Sequence, residues 1–260
     1  MQRSASYSIF FAAVVCLVCA VFVSVSAVSL RERQNENAYL DKQRNVLIAA
    51  GLANDDEKLT TEDIQTRFAP IKSVVVDLAT GDELRGVDPQ TFDQRKNSLD
   101  PETSRAPGKN PAGVQRVPNR ALVYRLEDDD AELALLILPI EGKGLWSTLY
   151  GFIALDADLD TIKGITFYEH KETPGLGGEV DNPKWKALWT GRRAFGEDNE
   201  PRIAVIRGRA GPASEDPYRV DGLAGATMTS RGVGRLVRFW LGDDGFGAYL
   251  NTLRRAEVKS

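Results

Sequence analysis

The residues best suited to chemistry lie in a run of small and hydroxylated side chains, DGLAGATMTS, at positions 221–230. Glycine tolerates the positive φ angles that turn successive backbone N–H groups toward one point. The hydroxyls of Thr227, Thr229 and Ser230 stand where a helix is predicted to begin, and a helix N-terminus offers unpaired N–H donors that suit a phosphate. The run predicts a phosphate site. The alternative is a turn capped by Thr229 or Ser230 before an ordinary helix.

A second glycine-rich segment, HKETPGLGGEVDNPKW at positions 170–185, follows a predicted strand over 161–168. Glycines on both sides of Leu176 predict a loop that lies flat against a planar ring, with backbone donors and acceptors free to contact it. The alternative is a plain turn at the end of the strand, where proline–glycine pairs are common.

A third segment, GKGLWSTLYGFIAL at positions 142–155, places two aromatic residues close together in the chain. Trp146 and Tyr150 would edge a ring-binding pocket. Most aromatic side chains in a strand belong to the core instead, and this alternative stays open.

Together the three segments resemble the covalent FMN-binding domain family. That family attaches FMN, through its phosphate, to the last threonine of an Asp-x-x-Ser/Thr-Gly-Ala-Thr pattern, which implies Thr227 as the acceptor; Ala224 departs from the pattern by lacking a hydroxyl. Positions 172–178 match the family's Glu-Thr-Pro-Gly-Leu-Gly-Gly loop. The cofactor-binding residues that the resemblance implies are Thr227, Asp221, Gly225, Ala226, Thr229, Ser230, Glu172, Thr173, Gly175, Leu176, Gly177, Trp146, Ser147 and Tyr150.

The run Gly-Leu-Trp-Ser at positions 144–147 is similar to one branch of the family, the C subunits of the Na+-translocating NADH:quinone reductases. This similarity implies an oxidoreductase subunit that relays electrons toward ubiquinone through FMN on Thr227. It also implies two kinds of partner, the other subunits of a membrane complex and a flavin transferase. No residue is assigned a catalytic role, because the flavin carries the redox chemistry.

Three other functions are compared with this one. The G subunit of the Rnf electron-transport complex has the same covalent FMN but is not expected to show the run at 144–147. A membrane-anchored assembly module would bind no cofactor. A hydrolase with Ser147 or Thr227 as nucleophile has little support, because the chain holds one histidine and no Gly-x-Ser-x-Gly motif.

The N-terminus predicts a membrane anchor. Positions 4–30 carry no charged side chain, and a helix over 7–28 reaches roughly 33 Å, enough to cross a hydrocarbon core of about 30 Å. The alternative is a cleaved secretory signal ending near positions 24–27, but the apolar run is longer than a usual signal core. We therefore predict a short tail at 1–6, a transmembrane helix at 7–30 and an extracytoplasmic FMN-binding domain at 31–260.

The orientation of this anchor follows from the resemblance rather than from charge. Arg3 precedes the span, while Arg31 and Arg33 follow it, so the positive-inside rule argues weakly for the opposite topology. Large domains translocate largely regardless of such charges. The family's flavin transferase acts outside the cytoplasm, which implies a single-pass protein of the bacterial inner membrane with its domain on the periplasmic side.

The soluble part is predicted to be an α+β domain with a twisted, mainly antiparallel sheet flanked by helices. Strands are predicted at 73–78, 121–126, 132–139, 148–155, 161–168 and 202–207, and helices at 35–50, 61–68, 183–190, 230–241 and 245–254. The prolines at positions 101, 107, 111 and 118 predict a long irregular loop at 88–119. The net charge of −4 is modest, and no pattern of basic and aromatic residues along the sequence argues for nucleic-acid binding.

Few residues are available to bind a metal ion. Cys16 and Cys19 are the only cysteines and lie in the apolar span, where they are either small apolar residues or ligands of a metal shared with a partner. The single histidine, His170, is predicted to lie exposed at the end of a strand. We therefore predict no metal site within the chain.

Overall fold

The structure is a computed structural model and describes residues 5–257. By its internal contacts the chain divides between Lys42 and Gln43 into two units, a helical N-terminal unit and a larger unit that contains the strands. In chain order the helices are α1 (Ala5–Ala49), α2 (Thr61–Phe68), α3 (Gln94–Leu99), α4 (Pro183–Lys186), α5 (Thr227–Leu241) and α6 (Gly247–Glu257). The strands are β1 (Ile71–Asp77), β2 (Ser104–Arg105), β3 (Val117–Pro118), β4 (Arg120–Glu127), β5 (Leu133–Lys143), β6 (Thr148–Asp156), β7 (Ile162–Glu169), β8 (Ala204–Val205) and β9 (Arg219–Val220).

Helix α1 joins the predicted apolar span and the predicted helix at 35–50 into one element of 45 residues. No glycine or proline interrupts it. Among the described residues it is the one helix whose length and composition suffice to cross a membrane, and its most apolar window is 0% buried. The predicted end is confirmed, because Gly51 has a φ of +72° and its N–H donates to the carbonyl of Ile48 at 3.0 Å.

The main sheet has five antiparallel strands in the order β1-β4-β5-β6-β7. Five of the six predicted strands are found here, with ends shifted by up to a few residues. Alternation along β5 divides the sheet's two faces: Leu136, Leu138 and Ile140 belong to the buried core that also contains Val233 and Leu236 of α5. The side of α5 that holds Val233 and Leu236 therefore packs into the core.

Glycines bring α5 unusually close to the end of β5. A Cβ atom on Gly232 would lie 2.4 Å from the carbonyl oxygen of Lys143, and one on Gly142 would lie 2.5 Å from the Cβ atom of Leu236. The indole N–H of Trp240 donates to the carbonyl of Glu141 at 2.6 Å. These contacts hold α5 against the strand that leads into positions 144–147.

The opposite face of the sheet carries a row of aromatic rings. Phe68, Tyr124, Phe152 and Tyr168 contact one another in turn, with ring centroids 5.2–5.9 Å apart. Beside them lies a buried lysine, Lys186, which pairs with the carboxylate of Asp55. A buried cation of this kind requires such a partner.

Segment 88–119 is more ordered than predicted. Asp93 caps α3 by accepting the N–H of Lys96 at 3.0 Å, and Gln94 accepts the N–H of Leu122 at 3.0 Å, which attaches the segment to β4. Strands β2 and β3 then form a short antiparallel pair. The prolines prevent long elements, but side-chain hydrogen bonds stabilise these short ones.

Two other predicted elements are shorter than expected. The helix predicted at 183–190 is α4 followed by a 3₁₀ turn over Ala187–Trp189. The strand predicted at 202–207 is reduced to β8, which pairs in parallel with β9. This parallel pair is separate from the main sheet. The main sheet itself is antiparallel, as predicted.

We expect Gly151→Ala to destabilise the sheet. The added Cβ atom would lie 2.1 Å from the carbonyl oxygen of Thr166, at a register shift between β6 and β7. Because backbone atoms cannot yield cheaply, the free energy of unfolding should fall by about 3 kcal/mol. Urea denaturation of the full chain in detergent measures this fall. Gly86→Ala is the matched control, since nothing lies within 4 Å of its Cβ position; equal stability of the two variants would contradict the prediction.

Candidate functional site

The carboxylate of Glu172 lies at the centre of the candidate site. Its Oε1 atom accepts the N–H groups of Trp146 and Ser147 at 2.9 and 3.0 Å, and its Oε2 atom accepts the N–H of Leu145 at 3.2 Å. The Thr229 hydroxyl donates to Oε2 at 2.7 Å. Glu172 is only 5% exposed. One side chain thus joins the three segments that the sequence singles out.

Two glycines allow the backbone to approach this carboxylate. A Cβ atom on Gly144 would lie 2.6 Å from Oε1 of Glu172, and one on Gly177 would lie 2.7 Å from Oε2 and 2.6 Å from the Thr229 hydroxyl. The glycines around Leu176 were predicted to form a flat surface for a ring. In the structure Gly177, together with Gly144 of the third segment, leaves room for the Glu172 side chain.

Glu172 is held in its charged form. Burial favours the neutral acid, but hydrogen bonds from the Thr229 hydroxyl and from the N–H groups of Trp146, Ser147 and Leu145 outweigh burial and lower the pKa of the Glu172 carboxyl. A carboxylate that accepts several N–H groups is a strong acceptor. The site therefore carries a fixed negative charge beneath its loops.

The Ser147 hydroxyl takes part in the same network. It accepts the N–H of Lys171 at 2.7 Å and approaches Glu172 at 3.4 Å. The one histidine, His170, is turned toward Asp181 at 2.8 Å, and its side chain is only 12% exposed, so the prediction of an exposed residue is wrong. The Ser147 hydroxyl is therefore bonded to the loop and to the Glu172 carboxylate, and not to the histidine.

Helix α5 begins at Thr227, three residues earlier than the predicted start at Ser230. The three hydroxyls of the motif consequently have different environments. Thr229 is fully buried, and Ser230 is 3% exposed, accepting the N–H of Leu223 at 2.9 Å and donating to the carbonyl of Ala226 at 3.0 Å. Thr227 is exposed. Of the three, only the Thr227 hydroxyl is accessible to a ligand.

The start of α5 has unpaired backbone donors. Its N-cap residue, Ala226, provides no side-chain acceptor. Within the described part of the chain, the N–H groups of Thr227, Met228 and Thr229 have no protein acceptor. Gly225, with a φ of +71°, makes the turn that leads into the helix. Unpaired N–H groups beside an exposed hydroxyl fit a phosphate group.

Exposed apolar side chains surround this helix start. Trp146 is 69% exposed, Met228 51%, Leu176 44% and Leu145 43%. A Cβ atom on Gly225 would lie 3.0 Å from Leu176 Cδ2, so the second loop reaches the motif. Leu145 and Met228 were missed by the sequence analysis. Each of them is an apolar residue within a run of small and polar residues. The run shows no helical or strand periodicity that would place that residue in the core, and this was the signal in the sequence.

Other residues predicted to contact the cofactor have partners within the protein. Tyr150 lies under the guanidinium of Arg95, 3.6 Å from its ring centroid. Asp221 accepts the N–H of Ala210 at 2.8 Å and shapes the turn before the motif. The carbonyl of Thr173 accepts the N–H groups of Leu176 and Gly178 at 3.1 and 2.9 Å, while Gly175, with a φ of +73°, forms the turn between them.

Comparison with known proteins agrees with these features. The model of a family described as FMN-binding domain matches residues 144–242. The chain is 46% identical over 261 residues to the C subunit of the Na(+)-translocating NADH-quinone reductase of Pseudomonas aeruginosa, with 99% of each chain covered. It is 44% identical over 250 residues to the C subunit of the same reductase from Yersinia pestis, covering 95% of this chain and 92% of that one. The chain belongs to this C-subunit family.

Solved structures give the same assignment for the fold. The crystal structure of Shewanella oneidensis NqrC matches with a TM-score of 0.76 and 36% identity, covering 84% of this chain and 99% of that one. The C subunit from Parabacteroides distasonis matches with a TM-score of 0.63 and 26% identity, covering 85% and 96%. The predicted α+β fold is confirmed, and the C-subunit family is favoured over the Rnf alternative.

We expect Glu172→Gln to loosen the site, because the amide NH₂ group would face N–H donors. The free energy of unfolding at pH 7 should fall by about 2 kcal/mol. The folded pKa lies below the unfolded value of about 4.3. The carboxylate therefore stabilises the wild-type protein above that pH, and this stabilisation is lost as the pH falls through the folded pKa.

Urea denaturation at several pH values tests this expectation. Glu215→Gln, an exposed carboxylate with no side-chain bond described, is the control. In Glu172→Gln, the free energy of unfolding should fall less steeply with decreasing pH in the acidic range than in the wild-type protein. Glu215→Gln should show the wild-type dependence. A Glu172→Gln protein as stable as wild type at pH 7 would show that the network contributes nothing.

A second carboxyl, Glu141 on β5, has the opposite pH dependence. Burial raises its pKa to about 7, against the opposing effect of Arg95. Its cross-strand neighbour is Tyr150. The folded pKa exceeds the unfolded value of about 4.3. Ionisation of Glu141 therefore destabilises the folded protein progressively as the pH rises from the unfolded pKa to the folded pKa.

We therefore expect Glu141→Gln to be more stable than wild type above pH 7, by about 2 kcal/mol, and similar to it near pH 4. Denaturation at pH 4 and pH 8.5 measures the difference. Glu102→Gln, at an exposed position, should leave the profile unchanged. A Glu141→Gln protein whose stability follows the wild-type profile at both pH values would refute the prediction.

Proposed function

We propose that this chain carries FMN covalently, through a phosphoester to Oγ1 of Thr227, and serves as an electron-transfer subunit. The observation that carries the proposal is the separation of the motif's hydroxyls, since Thr227 is exposed while Thr229 and Ser230 are buried and bonded. The unpaired N–H groups at the start of α5 support a phosphate at the same place.

The residues present fit the flavin in chemical type. The N–H groups of Thr227 and Met228 would hold the phosphate, and the exposed side chains of Trp146 and Leu176 would contact the ring system. FMN supplies one- or two-electron redox chemistry when bound. The chain's own residues bind it, exclude water from one side and, through Glu172, keep the binding loops rigid.

Attachment requires a second enzyme. The Thr227 hydroxyl loses its proton and its oxygen forms a bond to the flavin phosphorus. A flavin dinucleotide is a donor of suitable class, because its pyrophosphate bond breaks as a nucleoside monophosphate leaves with the remaining electron pair. We propose a flavin transferase as the catalyst. Asp221 has a positioning role here, since it bonds the turn before the motif.

The cellular setting is also proposed. Residues 7–30 of α1 would span the bacterial inner membrane, supported by the apolar composition of that helix. The FMN-binding domain would lie on the periplasmic side, within 31–260. Relatives at 44–46% identity are named as subunits of a Na(+)-translocating NADH-quinone reductase. Other subunits of that complex would supply the electrons and pass them to ubiquinone.

Two alternatives find less support. A hydrolase would need a free base beside Ser147 or Thr227. The one histidine instead pairs with Asp181, and the carboxylate near Ser147 already accepts backbone N–H groups and the Thr229 hydroxyl. An assembly module would bind no cofactor, which leaves the match to the FMN-binding domain model over residues 144–242 without an explanation.

The decisive experiment removes one hydroxyl at a time. We expect Thr227→Val, made together with an active flavin transferase, to fold normally but to carry no covalent FMN, because Thr227 is exposed. Peptide mass mapping across 208–231 detects the ester. Thr229→Val is the matched control: its hydroxyl bonds Glu172, so this variant should lose about 1 kcal/mol of stability yet retain FMN in its folded fraction.

Each outcome is informative. Covalent FMN in Thr227→Val, or its loss only in Thr229→Val, would move the acceptor away from Thr227. A wild-type protein that carries no flavin mass after production with the transferase would refute the proposed function.

A further inference from the structure

The exposed face of α5 carries a basic stripe that continues from the proposed flavin site. Thr227, Met228, Arg231, Arg235 and Arg238 are all exposed. At 3.6 residues per turn, these positions fall within about 100° of the helix circumference. The face of α5 that holds Val233 and Trp240 is buried in the core, so the stripe is what this helix presents to its surroundings.

The arginines of this stripe lack acidic partners. Within the described residues, Arg231 and Arg235 have no carboxylate within salt-bridge distance, and Arg238 donates only to the carbonyl of Gly234 on its own helix. Several arginines elsewhere in the unit are paired with carboxylates. These are Arg67, Arg95, Arg125, Arg193, Arg202 and Arg219.

A neighbouring loop adds two more unpaired arginines. Arg207 and Arg209 are exposed and form no salt bridge with a described residue. The loop is fixed beside the motif: the N–H of Gly222 donates to the carbonyl of Gly208 at 2.9 Å. Upstream, β8 packs so closely on α5 that a Cβ atom on Gly234 would lie 3.0 Å from the N atom of Val205.

We propose that this basic face, comprising Arg207, Arg209, Arg231, Arg235 and Arg238, docks on an acidic surface of a partner protein in the membrane complex. The chain has a net charge of −4, so a concentration of unpaired arginines around one motif is a local feature. Complementary charge steers and orients docking between proteins. An acidic protein surface supplies the carboxylates that these guanidinium groups lack within the chain.

The choice of a protein over an anionic lipid surface rests on the proposed function. The basic face begins at Thr227, and electrons leaving a flavin there need a protein-bound acceptor nearby, which lipid does not provide. Exposed Met228 lies at the same end of the face, giving it an apolar edge beside the arginines. An interface of apolar and arginine side chains with acidic partner residues is typical of protein recognition.

The test uses the assembled complex in its native membrane. A photo-crosslinking amino acid at position 238 lies on the basic face but outside the proposed flavin contacts. We expect it to cross-link to another protein of the complex, at a segment rich in Asp and Glu identified by peptide mapping. Arg231→Glu with Arg235→Glu in the same chain should lower the yield about tenfold at low ionic strength. Raising the salt concentration should lower the wild-type yield as well.

Arg85→Glu is the matched control for charge, since Arg85 is exposed in the turn after β1 and outside the basic face. Because the test variant carries two Arg→Glu substitutions, the control also carries a second one, Arg120→Glu, at another exposed position. This double variant should keep the wild-type yield. Reversing the charges of the mapped acidic segment to lysine should restore cross-linking of the Arg231→Glu, Arg235→Glu chain.

Several results would overturn the proposal: cross-links to lipid alone, to a second copy of this chain, or to a segment without acidic residues, and an unchanged yield after charge reversal. Covalent FMN is measured by mass in the same samples. Docking that responds to charge in a chain without FMN would refute the proposed function and leave the basic face as a docking surface. Loaded FMN with indifferent docking would refute only the docking proposal.

Discussion

The site is organised around one buried carboxylate. Glu172 accepts backbone N–H groups from 145–147 and the hydroxyl of Thr229, so it joins loops that are far apart in the chain. Such a group is tolerated in the interior only because its hydrogen bonds replace those it made with water. Gly144 and Gly177 are required for the same reason, since any side chain there would displace the carboxylate.

A second constraint sets where Thr227 lies. Helix α5 packs on β5 through Gly232, whose Cβ position is 2.4 Å from the backbone of Lys143. Because Thr229 is two residues from Thr227, the bond from Thr229 to Glu172 sets the rotation of the helix start. Thr229 turns inward and Thr227 turns outward. The same rotation of α5 directs Arg231 and Arg235 outward. The packing of α5 on β5 therefore exposes both the Thr227 hydroxyl and the basic face.

Much of the fold could be predicted because the main strands carry a simple hydrophobic pattern. The nearly continuous apolar run of β5, for example, marks a strand that is buried on both faces. The start of α5 was predicted at Ser230 because hydroxyl residues favour N-caps. In the structure Thr229 bonds the distant Glu172, Ser230 bonds the turn just before the helix, and Ala226 occupies the N-cap. Order within 88–119 was also missed, because it depends on the contact of Gln94 with β4.

The sequence by itself determined the family, the apolar N-terminal helix and the three segments that meet at the site, because these depend on local composition and short motifs. It did not determine which hydroxyl is accessible, nor that Glu172 holds the loops together, nor that Arg95 lies over the ring of Tyr150. Only the tertiary structure decided these points. Burial and hydrogen-bond geometry depend on residues distant in the chain, which no local pattern encodes.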